Sequence, residues 1–304
     1  MSISSTTELL HLAKGIRHYG ARQNIDDRKN ISKIIRLIQW RKYIQRQDLA
    51  KSLPTTNDVS IPEDAGFSKM DQLDKQVLAN AAQSALRHWD NFDIDTELKK
   101  NIERPFIPQF LGDELKKDDP ILKLALHPSV ISAISKYIGV IPVIENITTW
   151  YSPNKSTISG SSQYYHLDGQ DLRTIQIFLF LDDVTEDKGP LNIIRADDSE
   201  TLAREINYKK TPKTKRIDDK IIEERDISVL KLTGEKNNAY IADTDRCFHL
   251  GSRKATAPRH ILVIQYYSPF AFVLPSNWEE VLPLAHLAQD SHFTNIEKLV
   301  LGKK

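Results

Sequence analysis

A mainly β core, rolled as a jelly roll or barrel behind a helical front, is what this 304-residue sequence predicts, and three observations predict it. Up to about residue 140 apolar residues recur three and four apart, the period of a helix. From 141 onward the texture changes to short runs rich in β-branched and aromatic residues, separated by Gly, Pro, Asn and Asp. No helical pattern recurs regularly between those runs, which disfavours a parallel α/β sheet.

In chain order, IRLIQWRKYIQRQ (35–47) and DQLDKQVLANAAQSALRHW (71–89) carry the helical period, with LPTTNDVSIPEDAG between them as a linker or long loop. HPSVISAISKYIG (127–139) ends on a glycine suited to a helix C-terminus. The strands expected are VIENITTWYS, TIQIFLFLDDV, ISVLKL, NAYIAD and HILVIQYYSPF. Residues 195–226 are too polar for core and too long for a hairpin turn, so they read as an insertion between strands, a lid or, as composition favours, a solvated loop. In residues 14–51 Lys and Arg outnumber Asp by 11 to 3 around Trp40 and Tyr43. Such a basic helix could meet RNA, an acidic lipid or an acidic partner, although a solvated helix face is the commoner meaning. There is no internal repeat or low-complexity tract.

Composition narrows the classes. With 40% hydrophobic and 27% charged residues the chain is ordinary globular protein, and a net charge of +1 supplies no global field for nucleic acid or membrane. The single cysteine, Cys247, excludes an internal disulfide and Cys-rich zinc modules and fits a reducing compartment. MSISSTTELLHLAKGIRHYG lacks the apolar core of a secretion signal, and no stretch approaches the roughly 18 apolar residues of a membrane span. A cytoplasmic location is expected.

Chemistry concentrates in two H-x-D triplets, where composition alone would give roughly one by chance. His88-Trp89-Asp90 falls in a helical stretch, where residues two apart point about 200° away from each other, and reads as a helix end. His166-Leu167-Asp168, within QYYHLDGQD, falls where a strand is expected, so both side chains project from one face. Gly169 then lets the chain leave the strand sharply. Two ligands hold a catalytic metal poorly, so a third is required from the later β region, where His249 and His260 are the candidates. His249 sits at a strand-to-loop junction, whereas His260 opens an apolar alternating strand and reads as structural or exposed. The set His166, Asp168, His249 is a two-histidine, one-carboxylate face that leaves positions open on Fe(II) for oxygen and a co-substrate. Arg259, ten residues after His249, can grip a carboxylate by two parallel hydrogen bonds, suiting the far end of 2-oxoglutarate. Arg253 is nearer in sequence but reads as an exposed loop residue.

From LALHPSVISAISKYIG (124–139) through QYYHLDGQD, IFLFLDDVTEDKGPLNII (177–194) and DTDRCFHLGSR to Arg259, the chain resembles the phytanoyl-CoA dioxygenase-like family of Fe(II)/2-oxoglutarate oxygenases. The resemblance spans about the C-terminal half and rests on the order of these features. It implies a double-stranded β-helix, with His166, Asp168 and His249 as catalytic metal ligands on iron and Arg259 on the co-substrate carboxylate. Gln163 matches a position that in this family often faces the co-substrate, and Tyr165 the aromatic residue before the first histidine. One departure is RADDSE (195–200), where the family commonly has Pro-Gly-Ser-His. The implied layout is a basic helical segment at 1–60 and an oxygenase domain at 61–304. Within the domain a helical front covers 61–140, the β-helix 141–270 with its 195–226 insertion, and a helical tail 271–304.

The reaction implied is hydroxylation of a small-molecule substrate by molecular oxygen, with release of succinate and CO2. Desaturation, ring formation and epimerisation draw on the same oxidant, and Asp168 argues against halogenation, because a halide would need its place on iron. Selectivity would be built in the 195–226 insertion, whose Lys209, Lys210, Lys213, Lys215 and Arg216 either attract an anion or form a solvated face. Trp150, Tyr151, Tyr164 and Phe248 are candidate cavity walls or simply core. The competing readings are a cupin-like metalloenzyme without 2-oxoglutarate, which usually needs more histidines, a non-catalytic binding module, and nucleic-acid or anion binding through residues 14–51. Nucleic acid is disfavoured for want of any recognition motif elsewhere.

Overall fold

A computed structural model describes residues 22–90, 92–100, 106–153, 161–210, 216–253, 255–274 and 282–303. The elements are α1 (Ile25–Ile38), α2 (Trp40–Ser52), β1 (Phe67–Lys69), α3 (Lys75–Arg87), α4 (Ile94–Lys100), β2 (Ile107–Phe110), α5 (Pro120–Ala125) and α6 (Pro128–Ile138), followed by β3 (Val143–Ser152) and β4 (Thr174–Phe180). Then come β5 (Leu191–Ile193), α7 (Ala196–Glu205), α8 (Asp219–Glu223), β6 (Leu230–Leu232), β7 (Ala239–Asp243), β8 (His249–Leu250), β9 (Arg259–Tyr267) and α9 (Asn295–Val300). Six strands form an antiparallel sheet in the order β1-β7-β4-β9-β3-β2, and three form a smaller one in the order β6-β5-β8. The chain has the double-stranded β-helix fold.

The run TIQIFLF shows why the sequence folds this way. Alternate residues of a strand face opposite sides. In β4, Ile175, Ile177 and Leu179 pack on the helical front with Leu78, Ala82, Leu122 and Ile134. Phe178 and Phe180 face the smaller sheet, against Ile193 of β5 and Leu232 of β6. Strand β9 divides in the same way, with Leu262, Ile264 and Tyr266 toward the helices and Ile261 and Val263 toward the smaller sheet. Both faces of the large sheet are therefore buried, and its central strands read as nearly unbroken apolar runs. Each fully buried aliphatic or aromatic side chain contributes about 1.5–3 kcal/mol of transfer energy. The exception within the run is Gln176, which turns toward the functional cavity.

Two expectations change. The single helix over 35–47 is two helices, broken at Gln39, whose backbone (φ −112°, ψ 29°) leaves the helical region. Residues 195–226 are not simply a polar loop. They carry α7 and α8, and Leu202, Ala203, Tyr208, Ile217 and Ile222 form a buried cluster with Tyr165, Leu167 and Phe248. Lys213 and Lys215 lie outside the described residues, as do residues 14–21 of the basic stretch. In the C-terminal tail the described helices are a 3-10 turn at Leu287–Gln289 and α9, which begins with a capping box between Thr294 and Glu297. No helix among the described residues is long and apolar enough to cross a membrane.

Candidate metal centre

His166 and His249 meet as a hydrogen-bonded antiparallel pair, each backbone N–H donating to the other's carbonyl at 3.1 Å. Opposed residues of such a pair project to the same side, so the two imidazoles lie together, with ring centroids 4.3 Å apart. The Asp168 N–H donates to the Thr244 carbonyl at 3.0 Å, so the H-x-D segment, expected as a strand, is held by an isolated bridge and this bond instead of by a regular strand. Asp168 Oδ1 then stands 3.6 Å from His166 Nε2 and 3.7 Å from His249 Nε2. One ligand atom from each of the three residues lies within 4.8 Å of the others, a group able to hold a metal ion.

The surroundings fix which atoms point inward. His166 Nδ1 lies 2.8 Å from the Tyr164 carbonyl and His249 Nδ1 lies 3.0 Å from the Cys247 carbonyl. An imidazole that donates through Nδ1 to a carbonyl presents Nε2 as a lone pair, the tautomer a metal needs. Burial, joined by the nearby His249, holds His166 well below the usual histidine range. For Asp168, burial pushes upward but is overcome by His249, His166 and the Thr244 hydroxyl, so its carboxyl lies below the ordinary carboxylate value. The second carboxylate oxygen, Oδ2, accepts from the Gln176 side-chain amide at 2.8 Å, and that amide also reaches Thr244 Oγ1 at 3.2 Å.

Gly169 has φ +66°, the left-handed region that glycine adopts without strain, and this makes the sharp exit after Asp168. Past it, Asp245 takes over. Its carboxylate accepts from the backbone N–H of Gln170 at 3.0 Å and of Asp171 at 2.6 Å, and from the Thr174 hydroxyl at 2.6 Å. Neither Gln176 nor Asp245 stood out in the sequence. The available signal was a lone carboxamide inside an apolar strand and an aspartate in a buried turn, D-T-D, leading to β8.

Strand register organises the cavity of about 250 Å³ that the three residues share with Arg259. Across β3, β9 and β4, Asn146, Gln265 and Gln176 stand side by side; two residues further come Thr148, Val263 and Phe178, then Trp150, Ile261 and Phe180, and finally Ser152 beside Arg259. The carboxamide row and Arg259 thus lie six residues apart on β9, about 20 Å along the strand. Arg259 is only 4% exposed. Its Nη1 donates to the Gly189 carbonyl at 2.6 Å and its Nη2 to Ser252 Oγ at 3.2 Å, while Nε has no protein partner. Burial, partly offset by Asp182, lowers its pKa to about 10. Gly189 (φ +62°) lets the two loops meet, because a Cβ there would be 2.8 Å from Ser252 Cα.

Other expected residues fall elsewhere. Gln163 does not line the cavity: it is buried behind it, donating to the Ser252 carbonyl at 2.6 Å and so tying its turn to the loop under Arg259. Arg253 is held by two hydrogen bonds to Asp219 of α8, at 2.8 and 2.6 Å. His260 packs between Trp89 and Tyr151 on the outer side of β9, and His88 ends α3, 3.2 Å from Glu114. Of the aromatic wall candidates, Trp150 lines the cavity and Phe248 lies in the neighbouring apolar cluster.

No family model matches the chain, and no curated protein does. Among solved structures, EctD from S. alaskensis in its apoform aligns with a TM-score of 0.50 and 17% identity, covering 71% of this chain and 80% of that one. The same protein with 2-oxoglutarate and 5-hydroxyectoine aligns with a TM-score of 0.49 and 16% identity over 71% and 79% of the two chains. The non-heme alpha ketoglutarate dependent epimerase SnoN from nogalamycin biosynthesis aligns with a TM-score of 0.46 and 14% identity, covering 69% and 80%. At these identities the likeness is one of fold.

Proposed function

We propose that this protein is an Fe(II)- and 2-oxoglutarate-dependent oxygenase acting on a small molecule, with His166, Asp168 and His249 as the metal ligands and Arg259 as the anchor of the co-substrate's distal carboxylate. The observation that carries the reading is the convergence of two Nε2 atoms and one carboxylate within 4.8 Å, in a cavity whose far wall holds a buried guanidinium. Such a donor set suits a divalent transition metal and leaves one side of it open. The order of motifs supports the phytanoyl-CoA dioxygenase-like branch, and EctD, which shares the fold, is itself solved with 2-oxoglutarate.

Bound iron would supply oxygen activation coupled to loss of CO2 from 2-oxoglutarate. The chain supplies position. Tyr164 and Cys247 carbonyls set the two imidazole tautomers, Gln176 holds Asp168, and Gly189 with Ser252 holds Arg259. Gln163 acts on the co-substrate indirectly, by fixing the Ser252 loop. At the end of the cavity away from Arg259, Asn146, Gln265, Gln176 and Gln170 present carboxamides, and Gln265 already donates to Gln170 Oε1 at 2.8 Å. Among the described lining residues only the three ligands and Arg259 are ionisable, while Lys210 and Arg216 stand near enough for their charges to act on Asp168 and His166 from beside the cavity. The carboxamides favour a substrate whose reacting part carries hydroxyl or amide groups, and hydroxylation is the outcome that needs least from the chain.

The test is an anaerobic titration with Fe(II) and then 2-oxoglutarate, following the visible charge-transfer band of the chelate. Wild type develops the band, His166→Ala abolishes it, and Arg259→Ala weakens it by raising the 2-oxoglutarate concentration required. A folded wild type with no band sinks the reading.

A further inference from the structure

Helices α1 and α2 are built inside out. Toward the protein they bury Arg28, Ser32 and Ile35, then Arg46 and Ala50. Toward solvent they hold Ile34 (47% exposed), Leu37 (71%), Ile38 (50%), Trp40 (56%) and Ile44 (42%). These are five of the eight exposed large hydrophobic residues among the described residues, gathered within eleven positions, so scatter does not account for them. Ile34, Leu37 and Ile38 share one face of α1 by their three- and four-residue spacing, and Trp40 and Ile44 share one face of α2. The two helices meet at Gln39, so the two sets adjoin along the chain as one exposed apolar ridge.

The charge around that ridge is mainly basic, with the exposed Asp48, 3.6 Å from Lys51, one turn past Ile44. From Arg28 to Gln47 the sequence has seven Lys or Arg and no Asp or Glu. Of the seven, Arg28 and Arg46 are buried, whereas Lys33, Arg41 and Lys42 are exposed beside the apolar residues. Trp40 carries Arg41 over its ring, 5.5 Å from the centroid.

We propose that the α1–α2 joint is a membrane-surface docking site that inserts Leu37, Ile38 and Trp40 among the headgroups of an anionic bilayer while Lys33, Arg41 and Lys42 meet the lipid phosphates and carboxylates. An apolar ridge with a cationic collar and an interfacial tryptophan is the arrangement by which a helix lies in the plane of a membrane without crossing it. Nucleic acid would use the cations but has no use for four exposed aliphatic side chains. A second copy of the chain would bring two collars of the same sign together around a self-complementary contact. The proposal is independent of the oxygenase reading and uses none of the cavity residues.

The experiment is co-sedimentation of the full chain with phosphatidylcholine vesicles, either pure or containing about a third phosphatidylserine, whose surface attracts juxtamembrane cations. Wild type is expected to bind the anionic vesicles. The pair Leu37→Gln with Ile38→Gln, and the pair Lys33→Gln with Arg41→Gln, should each weaken binding about tenfold or more. Phe110→Gln, which removes an exposed apolar residue far from the ridge, should leave binding unchanged. Trp40→Gln repeats the apolar test should the first pair unfold. Failure of wild type to bind anionic vesicles overturns the proposal, as does binding that survives the apolar substitutions. A dimer in sedimentation velocity that the same substitutions dissolve overturns it in favour of a second copy.

Discussion

In the candidate metal site, Gln176 shows how much the arrangement depends on a residue outside the donor set. Its amide holds Asp168 Oδ2 at 2.8 Å and Thr244 Oγ1 at 3.2 Å, so the carboxylate keeps one oxygen turned toward the two imidazoles. Gln176→Leu keeps the volume and removes the donor. Metal affinity should fall about 10–100-fold, the range for loss of an orienting partner, with the thermal midpoint of the metal-free protein nearly unchanged. A metal titration read beside a melting curve checks both halves. The ligand candidates themselves were legible because strand spacing is rigid: two residues apart means one face, and His166 and Asp168 needed only that rule. The partner at 249 required knowing that two distant segments pair, and there the ordered run of motifs supplied what spacing could not. Gln176 and Asp245 were illegible, since their roles depend on which carboxylate or backbone N–H lies across the fold from them.

At the scale of the element, β9 carries two functions on opposite faces, and substitutions should separate them. Leu262 is fully buried against the helical front, so Leu262→Ala should cost about 2–5 kcal/mol in denaturant unfolding without altering 2-oxoglutarate binding. Gln265, three residues on and on the other face, sits in the carboxamide row beside Gln176 and Asn146. Gln265→Leu should leave stability within about 1 kcal/mol. It should instead change which small molecules shift the iron chelate's band. Equal loss of stability from both would contradict the division of faces. This two-sided burial is also why β3, β4 and β9 were readable as strands. The three-residue β1 and β5 and the two-residue β8 are too short to show a period, and of the expected run ISVLKL only Leu230–Leu232 forms β6. The stretch of α7, whose sequence ADDSETLARE looks solvated, is helical because Leu202 and Ala203 find Phe248 and Tyr208 to pack on.

The whole molecule is held together where its two ends meet the β-helix, and arginines do much of that joining. Arg46 of α2, 5% exposed, donates to the carbonyls of Ile141 and Pro142, at 3.2 and 3.4 Å, ahead of β3. It also donates to Leu299 and Lys303 at the C-terminal end, at 3.3 and 3.0 Å. Arg46→Ala leaves those carbonyls without the donor and should destabilise by about 2–4 kcal/mol, seen as a lower melting midpoint. Nearby, α1 faces the loop after the H-x-D triplet, where Asp171 is 4% exposed. Burial pushes Asp171 up to about 7, reinforced by Asp245 and opposed by the Leu172 backbone, Arg36 and Arg28. In the unfolded chain its carboxyl titrates near 3.8. Between these values the folded state binds the extra proton, so this group lowers stability as pH rises from about 4 to about 7 and the full penalty stands above 7. Asp171→Asn removes the titration. Its stability relative to wild type should therefore climb from pH 4 to pH 7 and then level off, measured as the difference in urea midpoints across that range. A difference that stays flat would mean that Arg28 and Arg36 hold Asp171 charged throughout, and that α1 is docked by an ion-pair network instead of around a buried carboxylic acid.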